Sequence, residues 1–320
     1  MQLGMIGLGK MGSNMAVRLL QKGHKVVVYD RAADALKPSV KEGAVAAKGI
    51  EELVKKLDTP RTIWIMLPAG KITDDTVNQV AELCQAGDTI IDGGNSKYTD
   101  DIRRAGELAK KKIEYMDVGT SGGIWGLVRG YALMIGGEPK NFKRLEPLFK
   151  SLAPEGRKGN LGYPGEKDIP DGYGLMGPAG AGHFVKMVHN GIEYAMMQAY
   201  AEGFDIIKAA GKEIFKKDMD LLMISKSWRN GSVVASWLLD LSANALEADP
   251  SGEFKGIKPF VTESGEGKWT VEVALQLGIP CSCIAESVLT RFVSQGKSAY
   301  GLRFLNALRN QFGGHEIVKE

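Results

Sequence analysis

The chain has 320 residues, 44% of them hydrophobic, and a formal charge of +3. That is enough apolar material for one large or two ordinary domains. The mild charge, with Lys and Arg interspersed among Asp and Glu, argues against nucleic acid as a partner. No basic leader, apolar h-region or bilayer-length run is present, so a cytoplasmic protein with no membrane partner is expected. Cys84, Cys281 and Cys283 are expected to be reduced, buried small residues. The histidines, His24, His183, His189 and His315, are scattered, and no metal site is predicted.

Leu3 to Ile6 is a short apolar run, followed by Gly7-Leu8-Gly9-Lys10-Met11-Gly12 and a helical pattern through Val17, Leu19 and Leu20 to Gly23. Lys25 to Tyr29 predicts a buried strand ending at Asp30. Strand, G-x-G-x-x-G, helix, strand and terminal acid come in the order a dinucleotide site requires. Gly7 permits the tight turn, Gly9 lets backbone approach a pyrophosphate, and Gly12 lets helix pack on strand. The N–H groups around Leu8, Lys10 and Met11 then hold phosphate charge. Asp30 suits an adenosine ribose and repels a 2′-phosphate, which favours NAD. Arg31 is either a solvated charge or a guanidinium that accommodates that phosphate, which keeps NADP as the weaker alternative.

More strand-to-loop signals follow: Thr62–Leu67 into Pro68, Asp88–Asp92 into Gly93-Gly94-Asn95-Ser96, Glu114–Val118 into Gly119-Thr120-Ser121-Gly122-Gly123, and Tyr131–Ile135 into Gly136-Gly137. In a doubly wound sheet ligands lie off the carboxyl ends of the strands, where such loops sit. Leu67 and Pro68 are candidate cofactor contacts, and Asn95 and Ser121 are candidates at the cofactor–substrate junction. Gly156 to Pro178 reads as a linker or surface loop. Beyond it, apolar-periodic stretches near 180–210, 232–247, 268–277 and 281–308 predict helices. The expected architecture is an α/β Rossmann-type N-terminal domain over 1–177 and an all-α C-terminal domain over 178–320.

The helix predicted from Gly180 to Tyr194 carries Lys186, His189, Asn190 and Glu193 at roughly 0°, −60°, +40° and −20°, taking about 100° per residue. These groups form one polar face, opposite an apolar side of Val188, Ile192 and Ala195 that should be buried. Either the charges are solvated, or the face addresses a ligand that the Gly180-Ala181-Gly182 start leaves uncovered. Gly265 to Thr270 precedes another helix. Arg291 sits on an apolar helix and wants an anion or an ordinary ion pair. Arg309 to His315 either frays or docks.

The fingerprint, Ile91 to Ser96, Thr120 to Gly123, Gly180 to Tyr194, Gly267 to Thr270 and the Arg309 to His315 tail together resemble the 6-phosphogluconate dehydrogenases of the β-hydroxyacid dehydrogenase superfamily, in their short, NAD-preferring bacterial form. The resemblance implies oxidative decarboxylation of 6-phosphogluconate to ribulose 5-phosphate and CO2 without a metal, a step of the pentose phosphate pathway. By position, Lys186 resembles the general base and Glu193 the general acid. Asn95, Ser121, Gly122, Gly123, His189 and Asn190 resemble the sugar-acid contacts, and Tyr194 and Arg291 the phosphate contacts. Arg309 and His315 resemble contacts delivered from a neighbouring subunit, which implies a homodimer or homotetramer. The chemistry requires a neutral Lys186 and a protonated Glu193. Ser264-Gly265-Glu266 stands where the family commonly has Lys-Gly-Thr, and Ile124 where an acid is usual. Glu266 would oppose a phosphate unless it points away or pairs with Lys268. The rival readings are a non-decarboxylating β-hydroxyacid dehydrogenase of the 3-hydroxyisobutyrate or tartronate semialdehyde type, and a catalytically inactive nucleotide-binding protein.

Overall fold

The computed structural model describes residues 1–157 and 167–319. It divides into two units between Met187 and Val188. The first contains β1 (Gln2–Ile6), α1 (Lys10–Gln21), β2 (Lys25–Tyr29), α2 (Lys37–Lys41), β3 (Val45–Ala46), α3 (Ile50–Lys55), β4 (Thr62–Ile65), α4 (Lys71–Leu83), β5 (Thr89–Asp92), α5 (Tyr98–Ala109), β6 (Glu114–Ser121), α6 (Gly126–Arg129), β7 (Ala132–Gly136), α7 (Pro139–Leu152) and β8 (Tyr173–Gly177).

Among the described residues the strands form one sheet in the order β3-β2-β1-β4-β5-β6-β7-β8. Neighbours are parallel except β6 and β7. Strands covered on both faces need continuous apolar runs, which is what β2, β4 and β5 supply. Alternate residues feed two cores. Val26, Val28, Trp64 and Ile91 join Phe149 on one face, and Val27, Ile63, Ile65 and Ile90 join Leu53 and Val77 on the other. The far end of α1 is tied down by Arg18, whose guanidinium donates to the carbonyls of Ser151, Leu127 and Ala153 at 3.0, 3.0 and 3.1 Å.

Two expectations are corrected here. Part of the Gly156–Pro178 stretch is β8, which extends the sheet beside β7; its Gly-rich sequence hides a strand held by pairing with a neighbour. Within that stretch, residues 158–166 lie outside the described residues. The Gly136-Gly137 loop does not project off the carboxyl ends, because β7 runs antiparallel to β6 and Gly136 pairs with Asp117. Gly136 instead makes room for helix packing: a Cβ there would lie 2.8 Å from the backbone nitrogen of Gly182.

The second unit is helical, as expected. α8 (Ala181–Glu213) begins in the first unit and continues into the second, followed by α9 (Leu221–Trp228), α10 (Trp237–Ala248), α11 (Glu266–Leu277), α12 (Ser282–Ser294) and α13 (Ala299–Gly313). α9 packs on α10, and α11 on α12. The 281–308 stretch is two helices, broken where Gly296 takes φ +75°. α9 fell between the periodic stretches; it is short and starts on an Asp220 side chain that accepts from the Met223 amide. The cysteines are unpaired, but Cys84 and Cys281 are half-buried and Cys283 is exposed, so the expectation of three buried residues is corrected. Among the described residues no helix is long and apolar enough to cross a membrane.

Candidate active site

Parallel pairing of β2, β1, β4 and β5 brings Asp30, Gly7–Gly12, Leu67–Pro68 and Gly93–Asn95 to one edge of the sheet. Gly7 takes φ +90°, and a Cβ there would lie 2.4 Å from the Met66 carbonyl oxygen. A Cβ on Gly12 would lie 2.1 Å from the Gly7 oxygen, so helix and turn touch only because residue 12 is glycine. Gly9 is different: nothing lies within 4 Å of an added Cβ, and it caps α1 with no side-chain hydrogen bond. The first-turn amides of α1 are therefore not spent on a side-chain cap, which is the cradle a pyrophosphate needs. Leu8 is buried and Met11 and Leu67 half-buried, while Lys10, Arg31, Pro68 and Asn95 are exposed. Asp30 accepts from the Leu8 amide at 2.7 Å and the Ala32 amide at 2.8 Å. A carboxylate has lone pairs beyond these two for a ribose. These residues fit a dinucleotide.

Behind this edge lies a buried polar network that the sequence reading missed. Asp92 accepts from Ser96 at 2.6 Å, the Gly94 amide at 3.0 Å and Arg104 at 2.7 Å. Asp101 accepts from Tyr115 at 2.7 Å and lies 2.8 Å from His183 Nδ1. Asp117 accepts the amides of Gly180 at 2.6 Å and His183 at 2.7 Å, which caps the start of α8. Burial pushes Asp117 up to about 6 and also raises Asp92. Burial alone would lower His183, but the Asp101 carboxylate and its hydrogen bond dominate, with Asp92 and Asp117 adding to them, and raise it to about 9. Asp92, Asp101 and His183 are close enough to share a cation, and the Arg104 guanidinium already supplies positive charge there. The acid closing β5 and the histidine in the first turn of α8 were the available signals; Asp101 and Arg104 belong to no motif.

The start of α8 is not uncovered, contrary to expectation. A Cβ on Gly180 would lie 2.8 Å from the Ile102 side chain, and one on Gly182 2.5 Å from the Met134 oxygen. These glycines serve close packing. Further along, Lys186 is only 6% exposed, and a Cβ on Gly119 would lie 2.3 Å from Lys186 Cβ. Ser121, two residues along β6, shares the Gly119 face, and Gly122 and Gly123 follow with φ of +137° and +55°. The expected burial is thus reversed along this helix: Lys186 is buried, while Ile192 is 50% exposed and Val188 and Ala195 are half-buried.

In the second unit α8 presents His189, Asn190, Glu193 and Tyr194. His189 Nδ1 lies 3.0 Å from Asn190 Oδ1, and Asn190 Nδ2 donates to the Glu266 carboxylate. Glu266 pairs with Asn190 and not with Lys268, which faces Glu272 at 3.6 Å. Tyr194 Oη lies 3.0 Å from Ser264 Oγ and accepts the Ser264 amide at 3.2 Å. The Arg291 guanidinium stacks 3.6 Å from the Tyr194 ring centroid. It is buried, its Nε has no hydrogen-bond partner, and burial holds its pKa below the usual arginine range. An incompletely satisfied buried cation beside two hydroxyls is suited to an anion. Arg309 is exposed on α13, not on a tail, and His315 follows the αL cap Gly314; the paired glycines end a helix. The structure brings Lys186 to Gly119, Asn190 to Glu266, Tyr194 to Ser264 and Arg291 onto the Tyr194 ring.

The sequence model for the NAD binding domain of 6-phosphogluconate dehydrogenase matches residues 2–161, and that for the 6-phosphogluconate dehydrogenase C-terminal domain matches 182–317. The NAD(+)-dependent, decarboxylating 6-phosphogluconate dehydrogenase of Haloferax volcanii is 38% identical over 320 residues, covering 100% of this chain and 99% of that one. The decarboxylating enzyme of Lactococcus lactis is 35% identical over 305 residues, covering 92% of this chain but 61% of its own length. The Plasmodium falciparum 6-phosphogluconate dehydrogenase, solved with NADP+ and with 6-phosphogluconate, superposes with a TM-score of 0.80 at 28% identity, over 100% of this chain and 66% of its own. With both sequence models matched and a full-length relative at 38% identity, this chain belongs to the 6-phosphogluconate dehydrogenase family.

Proposed function

We propose that this protein oxidatively decarboxylates 6-phosphogluconate to ribulose 5-phosphate and CO2, with NAD preferred and NADP the weaker acceptor, in the cytoplasm. The observation that carries the reading is a lysine buried against Gly119 at the end of β6, on the helix that also bears His189, Asn190 and Glu193. Bound at the Gly7–Gly12 turn, the dinucleotide supplies the hydride acceptor. Lys186, unprotonated, takes the proton of the C3 hydroxyl and returns it to the keto oxygen as C1 departs as CO2; Glu193, protonated, then gives a proton to the former C2, which becomes C1 of ribulose 5-phosphate, while Lys186 takes back the hydroxyl proton and the ketone forms. Asn95, Ser121, Gly122, Gly123, His189 and Asn190 hold the sugar acid, and Tyr194 and Arg291 its phosphate. Asp30 holds the adenosine ribose. Residues 1–177 form the dinucleotide-binding domain, which also lends Asn95 and Ser121–Gly123 to the substrate, and 178–320 serve the substrate and subunit association.

The apolar side chains exposed on α13, among them Leu302, Phe304 and Leu305, support association with a second copy in a dimer or tetramer. In that assembly Arg309 and His315 serve the neighbouring site. The test is a steady-state assay on 6-phosphogluconate with NAD and with NADP, coupled to CO2 detection. CO2 released in step with NADH is expected; oxidation without CO2, or no turnover with either cofactor, sinks the reading.

A further inference from the structure

We infer that Glu266 fixes where the protons sit on the polar face of α8, turning the Asn190 amide and thereby setting the tautomer of His189. Glu266 is the first residue of α11 and only 4% exposed. A helix N-terminus favours a negative charge at that position. An ionised carboxylate only accepts hydrogen bonds, so the amide facing it must present its NH2 group. Asn190 does so, donating Nδ2 to Glu266. That turns Asn190 Oδ1 toward His189 Nδ1, 3.0 Å away. A carbonyl oxygen cannot donate, so the proton lies on Nδ1, and in the neutral imidazole Nε2 is an acceptor.

The support is rigid. The Glu266 carbonyl accepts from Thr270 Oγ1 at 2.8 Å, and the Thr270 side chain lies where a Cβ on Gly191, the residue after Asn190, would be 2.9 Å away. The start of α11 is thereby pressed onto α8 at the pair it orients. Glu266 is a positioning residue: it gives His189 the polarity to accept a hydrogen bond from a sugar hydroxyl. Only this last consequence rests on the proposed function; the proton placement belongs to the protein without substrate.

Long-range proton–nitrogen correlation spectra of the full-length protein, which has four histidines, test it at about pH 8.5, above the ordinary imidazole range. Wild type should show His189 as the Nδ1–H tautomer. In Glu266→Gln, whose amide pairs either way round, and in Glu266→Thr, whose hydroxyl both donates and accepts, an Nε2–H population should appear. A wild-type Nε2–H tautomer, or a tautomer unchanged in both variants, overturns the assignment. Circular dichroism checks that the isosteric Gln variant keeps the fold. Kinetically, Glu266→Gln should raise KM for 6-phosphogluconate about tenfold, the value of one oriented hydrogen bond, with kcat changed less. A shifted tautomer with unchanged KM overturns the substrate role alone. Wild-type inactivity on 6-phosphogluconate overturns the proposed function and leaves the tautomer result standing.

Discussion

The two units solve the burial problem differently. In the first, a sheet covered on both faces closes two cores, and Trp64, Phe149, Leu19 and Ile90 reach 0% exposure. In the second, among the described residues, the buried apolar side chains are fewer, with Leu239, Ala243, Leu246 and Val288 among them, while Leu302, Phe304 and Leu305 stand more than half exposed. Isolated exposed apolar residues are ordinary, but several on one helix are not. A sheet with helices on either side buries its apolar faces within one unit, whereas these helices leave apolar side chains exposed.

The sharpest break in the comparison concerns Lys186, the last buried cation before the division. Lys186→Met should lower kcat by about 10³-fold, the scale of a lost general base, with NADH binding retained by fluorescence titration; appreciable turnover removes its role as base. Next, Phe149→Ala in the closed core should cost about 3–5 kcal/mol, read as a shift in the urea midpoint. The edge-on contact of Phe149 with Trp64, 6.1 Å between centroids, leaves no easy collapse. Phe304→Glu on the open face should leave monomer stability within about 0.5 kcal/mol yet weaken association about 100-fold, or about 2.7 kcal/mol. Sedimentation over a concentration series decides this, and an unchanged oligomer would mean that α13 is not the contact.

The smallest effect is a pH dependence peculiar to the first unit. His183 is raised to about 9 from an ordinary 6.5, so between those values the folded state binds the extra proton. Its contribution is full below pH 6.5 and is lost as pH rises through about 9. Tm should fall across that window in wild type, and His183→Gln should flatten the fall; parallel slopes in the two proteins would remove His183 as the cause.

Much of the first unit was legible because its signals are local. Gly7 is demanded by its own φ of +90° and Gly12 by the Gly7 carbonyl five residues away, and the apolar runs of β2, β4 and β5 are continuous because both sheet faces are covered. What was not legible depends on distant partners. β8 exists only as the neighbour of β7, and the direction of β7 is set by pairing with β6. Lys186 reads as a polar-face residue on a helical wheel, and its burial arises from Gly119, far away in sequence. Likewise Glu266 reads as a charge hostile to phosphate until Asn190 is seen opposite it. The family resemblance supplied roles for Lys186, Glu193, Tyr194 and Arg291, but not the Asp92–Asp101–His183 network behind them.

Asp30 has a consequence for engineering. The Asp30 oxygen atoms proposed to select a ribose also hold the Leu8 and Ala32 amides, so the same residue braces the turn proposed to carry the phosphates. On the proposed NAD preference, replacing Asp30 to favour NADP would relax that turn at the same moment. A successful redesign must supply a second acceptor for the Leu8 amide, or it will trade selectivity for poorer use of both dinucleotides.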